Sequence, residues 1–592
     1  MNIRWSSFVL ILLIAGCEPS VPDAARQSIT TRPAAIGSDS VHSGFAATRP
    51  DQRTLANLEL LGRVWGYVKY YHPAVAGGCC DLDQELFKLL PLSRQDSFAK
   101  HLADWVKSFP ELEPILVGNV AVLDDGQKYS TYDRSWWAPE IIGTELVESL
   151  KSIPLPIEVE EANRVLGADD ENLHHYISFA PRVGNPIFKN EYPYPEIAAD
   201  DSGMRILTLF RYWNMIEYFF PYKDLTDLPW SEVLPTYIPL VIAAEEPLEF
   251  QKVIYRLIGE VNDSHAGMWF KPKEMQDFLP LLRVCALPVY RDGKMVIAKL
   301  GEKNDSLDLG DVILAVDDRT TEELIEHYRP FCPGSNETAI YRDIGLLLLG
   351  SNQDSVTVKV DRQGRVLDLK CSTHGPMWGN WFGDDRRAGF EYIGGQDSIG
   401  YIYAASLNKG EIDRVMPENL NLKGLVVDLR NYPSRFIVFS LGKYLVPQPE
   451  PFAKFTVGSM VRPGDFYWTD PVKVGDGNRP VFKGKVVILV DGFTQSQPEY
   501  TAMALRKHFR STVVGSTTAG ADGNVSQIIL PGGIGTSISG IGVFYPDGSP
   551  TQRIGIVPDI EVVQDFAAIQ AGRDAQLDMA LEIIRENDPG AL

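Results

Sequence analysis

The sequence predicts a multidomain α+β protein with a helical N-terminal region, a β-rich middle and a C-terminal α/β core. Three observations carry that reading. Apolar residues recur at spacings of three and four before residue 260, short β-branched runs separated by turns fill 283–372, and buried-type strands alternate with helices from 391 onward. With 592 residues and 44% hydrophobic content, the chain has enough apolar material for several cores.

Residues 54–110 read as helix, with Leu58, Leu61, Val64, Trp65 and Val68 on one face, and a second helical region runs from near Met204 to near Glu260. The two regions resemble one another. Leu61, Arg63, Trp65, Tyr70 and Pro73 coincide with Leu209, Arg211, Trp213, Tyr218 and Pro221 at a constant offset of 148 residues. Two related helical units that bury an aromatic face and stop at proline explain the match; a shared amphipathic pattern is the other reading.

In the middle, Val284–Tyr290, Met295–Leu300, Val312–Val316 and Val356–Val360 read as strands separated by turns such as 291–294. Farther on, Gly424–Arg430 and Gly484–Val490 have the apolar density of buried strands. A helix over 498–509, a strand beginning at Thr512 and a closing amphipathic helix over 574–586 complete the core.

The net charge of -22 repels phosphate backbones and excludes nucleic acid as a partner class. The first 17 residues form a basic start, an apolar run Phe8–Ile14 and the small-residue sequence Ala15-Gly16-Cys17, which together read as an export signal. The polar tract up to about residue 50 then reads as a tether. Ile14-Ala-Gly-Cys17 is similar to the bacterial lipoprotein signal, which implies lipidation of Cys17; Glu18 after it implies the outer membrane by analogy. The expected location is therefore the periplasmic side of a bacterial membrane. The adjacent Cys79 and Cys80 lack the spacer of a redox or zinc pair and are read as structural.

Two short segments have the residue types of serine chemistry. Ser496, in Gly492-Phe-Thr-Gln-Ser-Gln-Pro-Glu499, stands between a predicted strand and a predicted helix, where unpaired helix N–H groups can hold a developing oxyanion. An ordinary N-cap serine is the alternative there. A serine nucleophile needs a base, and of the nine histidines His265 stands out in the polar turn 259–267. No His-x-x-x-His or His-Glu-x-x-His spacing occurs, so neither a metal nor a cofactor is expected.

Six ordered segments over roughly 205–590 resemble the S41-type serine peptidases, the tail-specific and tricorn-core-like family. They are Asn262-Asp-Ser-His-Ala-Gly267, Leu309-Gly-Asp-Val-Ile313, Gly424–Arg430, Thr494-Gln-Ser-Gln-Pro-Glu499, Val514–Gly520 and Gly555-Ile-Val-Pro-Asp-Ile560. The resemblance implies a PDZ-like module that docks peptides by strand addition and a crotonase-like, ClpP-like α/β catalytic core. Ahead of it the residues themselves give a signal peptide over 1–17 and a tether over 18–50, followed by an N-terminal helical and mixed domain over 51–200. A second helical region with the Ser-His motif then spans 201–282, the PDZ-like domain 283–372 and the catalytic core 373–592.

The family uses either a Ser–Lys dyad or a Ser-His-Ser-Glu tetrad. Ala521 fills the position of the dyad lysine, so the resemblance implies the tetrad, with Ser496 as nucleophile, His265 as base and Ser264 helping to hold the imidazole or its partner. Ser496 Oγ is then expected within about 3 to 4 Å of a His265 ring nitrogen. The tetrad's acidic member lies near the C-terminal Gly-x-x-Pro-Asp motif, where this chain has Gln552; Gln552 and Glu499 are the candidate orienters. Gln497, Ser434 and Tyr432 are the oxyanion-hole candidates, because Pro433 in the turn after Asp428-Leu-Arg430 has no N–H to donate. The expected function is a serine-type peptidase acting on exported polypeptides. A catalytically inactive, PDZ-containing peptide-binding lipoprotein is the alternative.

Overall fold

Two long helices, α1 (Gln52–Tyr71) and α4 (Ser202–Phe219), form the centre of the N-terminal half. The structure, a computed structural model, describes residues 42–46, 49–110, 116–118, 128–155, 157–159, 174–375, 387–395, 399–460 and 462–586. The signal segment, Cys17 and nearly all of the tether lie outside the described residues. No helix of the described residues is long and apolar enough to cross a membrane.

Each long helix leads a three-helix unit. The first adds α2 (Leu82–Leu89) and α3 (Phe98–Lys107); the second adds α5 (Trp230–Ala243) and α6 (Pro247–Gly259). The offset of 148 reappears in the bonding. Trp65 Nε1 donates to Leu82 O at 3.0 Å, and Trp213 Nε1 donates to Trp230 O at 2.9 Å. Both long helices also stop alike, with the N–H of His72 and of Phe220 closing on the carbonyls of Val68 and Ile216 just before a proline.

The units meet on equivalent residues. A Cβ on Gly62 would fall 2.8 Å from the Phe210 ring, one on Gly66 would fall 1.7 Å from Asn214 Oδ1, and the rings of Tyr70 and Tyr218 lie 5.4 Å apart. Each of these pairs joins a residue to its own counterpart, at steps of four along both helices. Such a pattern requires α1 and α4 to run parallel, related by a pseudo-two-fold along their common direction. The arginines confirm the exchange: Arg63 Nη2 donates to Ser231 O at 2.9 Å, and its counterpart Arg211 bonds Asp83, the counterpart of Ser231.

The middle region is an eight-stranded antiparallel sheet ordered Gly350–Ser351, Leu282–Val284, β5 (Arg365–His374), β4 (Ser355–Arg362), β3 (Val312–Val316), β2 (Lys294–Leu300) and β1 (Ala286–Arg291), with Arg319–Thr320 beside β3. Helix α7 (Glu337–Leu348) closes on the edge strand β1. There a Cβ on Gly345 would be 2.7 Å from Pro288 O, and Tyr290 stacks on Tyr341 at 3.8 Å.

The C-terminal core is a six-stranded sheet, β6 (Phe390–Ile393), β7 (Ile399–Tyr403), β8 (Gly424–Asp428), β9 (Lys485–Val490), β10 (Ser511–Gly515) and β13 (Ile560–Glu561), parallel from β7 onward. Strands β7 and β8 are buried throughout, as a parallel sheet covered on both faces requires. One face packs against helices that include α8 (Gln497–Leu505), and the other against α9 (Ala575–Arg585). A hairpin, β11 (Val525–Leu530) with β12 (Ile534–Ser539), leaves this core and packs its isoleucines into the cluster shared by the helical units and the middle sheet. That hairpin brings the core to the helical half.

Candidate active site

Strand β9 ends at Val490, and the chain turns through 491–496 before entering α8. The carboxyl end of a parallel strand is where such sheets open a crevice. Ser496 sits in the turn with φ 69° and ψ -122°, a left-handed conformation that costs a non-glycine residue about 1–3 kcal/mol. The surroundings hold it there: Ser496 N–H donates to Ala521 O at 2.8 Å and to Glu499 Oε2 at 2.9 Å. Strand, strained serine, helix is the layout of a nucleophile elbow.

Glu499 is the anchor of this turn rather than a partner of the imidazole. Its buried carboxylate accepts from Ser496 N, Gly520 N, Ala521 N and the Thr518 hydroxyl, so it ties the start of α8 to the loop after β10. Burial pushes its pKa up to about 7, against the pull of those donors.

The histidine loop follows α6. Asp263, Ser264 and His265 are all buried, and two contacts pull the loop onto the nucleophile turn. Gln495 Nε2 donates to Ser264 O at 3.0 Å, and Ser264 Oγ donates to Ala519 O at 2.9 Å. Ser264 also exchanges hydrogen bonds with Ser335, its Oγ accepting from Ser335 N at 2.8 Å and its N–H donating to Ser335 Oγ at 2.9 Å. Ser264 thus staples three segments, with its hydroxyl engaged by Ala519 O and Ser335 N. Arg342, on α7, donates to Gly492 O and to Gln495 Oε1, bracing the same turn from the middle sheet.

The ring of His265 is held from the hairpin. Its Nδ1 bonds Ser539 Oγ at 2.8 Å, and Asp263 Oδ1 lies 3.7 Å from Nδ1. Among the described residues Ser496 Oγ makes no hydrogen bond to the ring, although the two loops are stapled together. Burial holds the imidazole below its ordinary pKa range; Asp263 opposes this and Arg342 adds to it. A neutral ring with Nδ1 engaged leaves Nε2 as the basic atom.

Gln552 is buried and donates to Asp263 Oδ1 at 3.2 Å, so it reaches the carboxylate beside the histidine and not the histidine itself. Of the oxyanion candidates, Gln497 occupies the first position of α8, where a backbone N–H has no intrahelical acceptor. Its side chain donates to Arg435 O at 2.8 Å and lays the 431–435 turn against the helix. The Ser434 N–H is committed to Ala404 O at 3.0 Å, which removes it from the donor set, and Tyr432 is exposed on that turn. Asp263 in this site, and Ser539 with it, are the residues that sequence reasoning missed. Asp263 lay inside the quoted Asn262–Gly267 motif without a role, and Ser539 reads as an ordinary strand residue.

A strained serine at a strand-to-helix turn, with a buried histidine loop fastened to that turn, is an arrangement suited to serine-hydrolase chemistry on an α/β core. Part of this core is similar to known proteins. Residues 454–562 match the model of peptidase family S41. It is 36% identical over 93 residues to a carboxy-terminal-processing protease of Bartonella bacilliformis, covering 16% of this chain and 21% of that protein. A carboxyl-terminal-processing protease of Synechocystis sp. is 27% identical over 210 residues, covering 34% of this chain and 45% of that protein. The chain therefore spans less than half the length of these relatives. The structure of mature CPAF superposes with a TM-score of 0.51 at 14% identity, covering 66% of this chain and 99% of that one, a likeness of fold.

Proposed function

We propose that the chain is a serine peptidase in which Ser496 attacks the carbonyl of a peptide bond and His265 serves as base and then acid. The supporting observation is the left-handed backbone of Ser496 in a turn fastened to the Ser264–His265 loop by Gln495. In the first step the Ser496 Oγ–H proton passes to His265 Nε2 as Oγ bonds the carbonyl carbon and the carbonyl electrons move onto oxygen. The Gln497 N–H, at the helix start, is placed to stabilise that oxygen. Collapse expels the amine, which takes the proton from Nε2, and water releases the acyl group by the same steps in reverse roles. The two side chains close the remaining distance when substrate fills the cleft, as unliganded catalytic bonds often do.

The names of the relatives support cleavage near carboxyl termini, and the N-terminal segment supports exported polypeptides as substrates and a membrane anchor through an acyl group on Cys17, a point read by fatty-acyl labelling of wild type and Cys17→Ala. The PDZ-like sheet is the proposed docking module. Because α7 closes on β1 near Pro288, strand addition at that edge requires α7 to draw back.

The test is fluorophosphonate labelling and peptide hydrolysis by wild type, Ser496→Ala and His265→Ala. Labelling and turnover should vanish in the first variant and fall by about 10²- to 10⁴-fold in the second. Hydrolysis at the wild-type rate by Ser496→Ala overturns the mechanism, and an inert wild type turns the reading to a peptide-binding protein.

A further inference from the structure

We propose that Asp263, acting through the hydroxyl of Ser539, is the carboxylate that orients His265 and offsets its charge during catalysis. The assignment rests on the serine-peptidase reading above. In tetrad-type relatives the resemblance puts the acidic group near the C-terminal Gly-x-x-Pro-Asp motif, and this chain has an amide there, Gln552. The structure shows what replaces it.

Asp263 has no solvent exposure, and four donors converge on it. Its Oδ1 accepts from His265 N at 3.0 Å, from Ser539 Oγ at 3.1 Å and from Gln552 Nε2 at 3.2 Å, and its Oδ2 accepts from Ser539 N at 2.6 Å. An ionised carboxylate only accepts, so a shell made entirely of donors suits it. The Ser539 hydroxyl has one proton. It gives that proton to Asp263, so the contact with the ring runs from His265 Nδ1–H to the Ser539 oxygen. The chain of bonds fixes the Nδ1–H tautomer and leaves the Nε2 lone pair for Ser496.

When Nε2 takes the nucleophile's proton, the new positive charge lies with Asp263 Oδ1 3.7 Å from Nδ1, and both residues are buried. The charged groups bearing on the ring are Asp263 from its own loop and Arg342 from α7, with opposite effects; the hairpin contributes the neutral Ser539. Asp263 and Ser539 are positioning residues. Gln552 belongs with them, because its amide is the group that a carboxylate at 263 needs as neighbour. A glutamate at 552 would bring two acids within hydrogen-bond distance, where one must take up a proton.

The experiment compares wild type, Asp263→Asn, Ser539→Ala and Gln552→Glu as full-length proteins. The first reading is the ionisation of His265 by NMR of ¹³Cε1-labelled histidine, assigned with His265→Ala. The second is the pH profile of kcat/KM. Asp263→Asn should lower the His265 midpoint, move the acid limb of the profile to lower pH and reduce kcat by about 10²- to 10⁴-fold, with KM changed far less. Ser539→Ala, which deletes one hydroxyl and serves as the milder variant, should shift the midpoint in the same direction by less. Gln552→Glu should reduce activity. An unchanged midpoint and wild-type kcat in Asp263→Asn overturn the assignment, and so does a gain of activity in Gln552→Glu, which would return the acid to its position in the relatives. If wild type neither labels nor turns over, the peptidase reading fails, while the NMR midpoints still decide whether Asp263 governs the imidazole.

Discussion

The two helical units share their bonding and differ where they touch. Both fix the tryptophan of the long helix to the start of the next one, and both send an arginine across to the partner unit. At the pseudo-axis the first unit has Gly62 and Gly66 where the second has Phe210 and Asn214. Two large residues cannot occupy one place on a two-fold axis. One copy supplies bulk and the other supplies room, and the same division affects charge. Arg63, at the edge of the contact, is paired with the half-buried Glu59, whereas Arg211 is fully buried against Asp83 and Glu191. Only the second unit runs on into Asp263, Ser264 and His265 among the described residues.

The largest test of this asymmetry is the arginine pair. Arg211→Ala strips the buried Asp83 of its cation and leaves Glu191 with Lys69 alone, and should cost about 3–5 kcal/mol in urea unfolding, whereas Arg63→Ala, which loses a hydrogen bond to Ser231 O and leaves only a half-buried acid, should cost about 1–2 kcal/mol. Equal losses would mean that the units divide charge evenly and would break the comparison. Next is Gly66→Ala, whose methyl group meets Asn214 Oδ1; overpacking of this kind costs about 1–3 kcal/mol. The double variant Gly66→Ala with Asn214→Ala should recover part of the loss, and strict additivity would deny the contact. The smallest effect should be shared. Trp65→Phe and Trp213→Phe each delete one equivalent hydrogen bond, worth about 1 kcal/mol, and unequal losses would limit the duplication to backbone shape.

Much of this was legible in the residues. Arg63 and Arg211, Trp65 and Trp213, and Tyr70 and Tyr218 keep a constant spacing, so the duplication is visible as text; the exchange of partners across the axis is not, because it joins residues 128 and 168 apart. The four strands predicted for the middle sheet fell within a few residues of their places, since β-branched runs between turns leave few alternatives, whereas β5, where charged and polar residues interrupt the apolar ones, went unread. Ser496 was legible from its position between strand and helix. Asp263 was read only as part of a polar turn, and Ser539 lies 276 residues from it in a strand where Ser and Ile alternate. Only the hairpin's placement makes that hydroxyl chemical. Glu499, three residues after the serine, looked like a relay member in one dimension and is a helix cap in three.

The pseudo-two-fold pair of α1 and α4 has one more consequence. In a homodimer, helices so related meet from separate chains, and their association depends on protein concentration. Here both partners are on one strand of polypeptide, so each is presented to the other at the effective concentration set by the intervening chain. The scaffold that ends in the histidine loop therefore keeps its partner at any dilution.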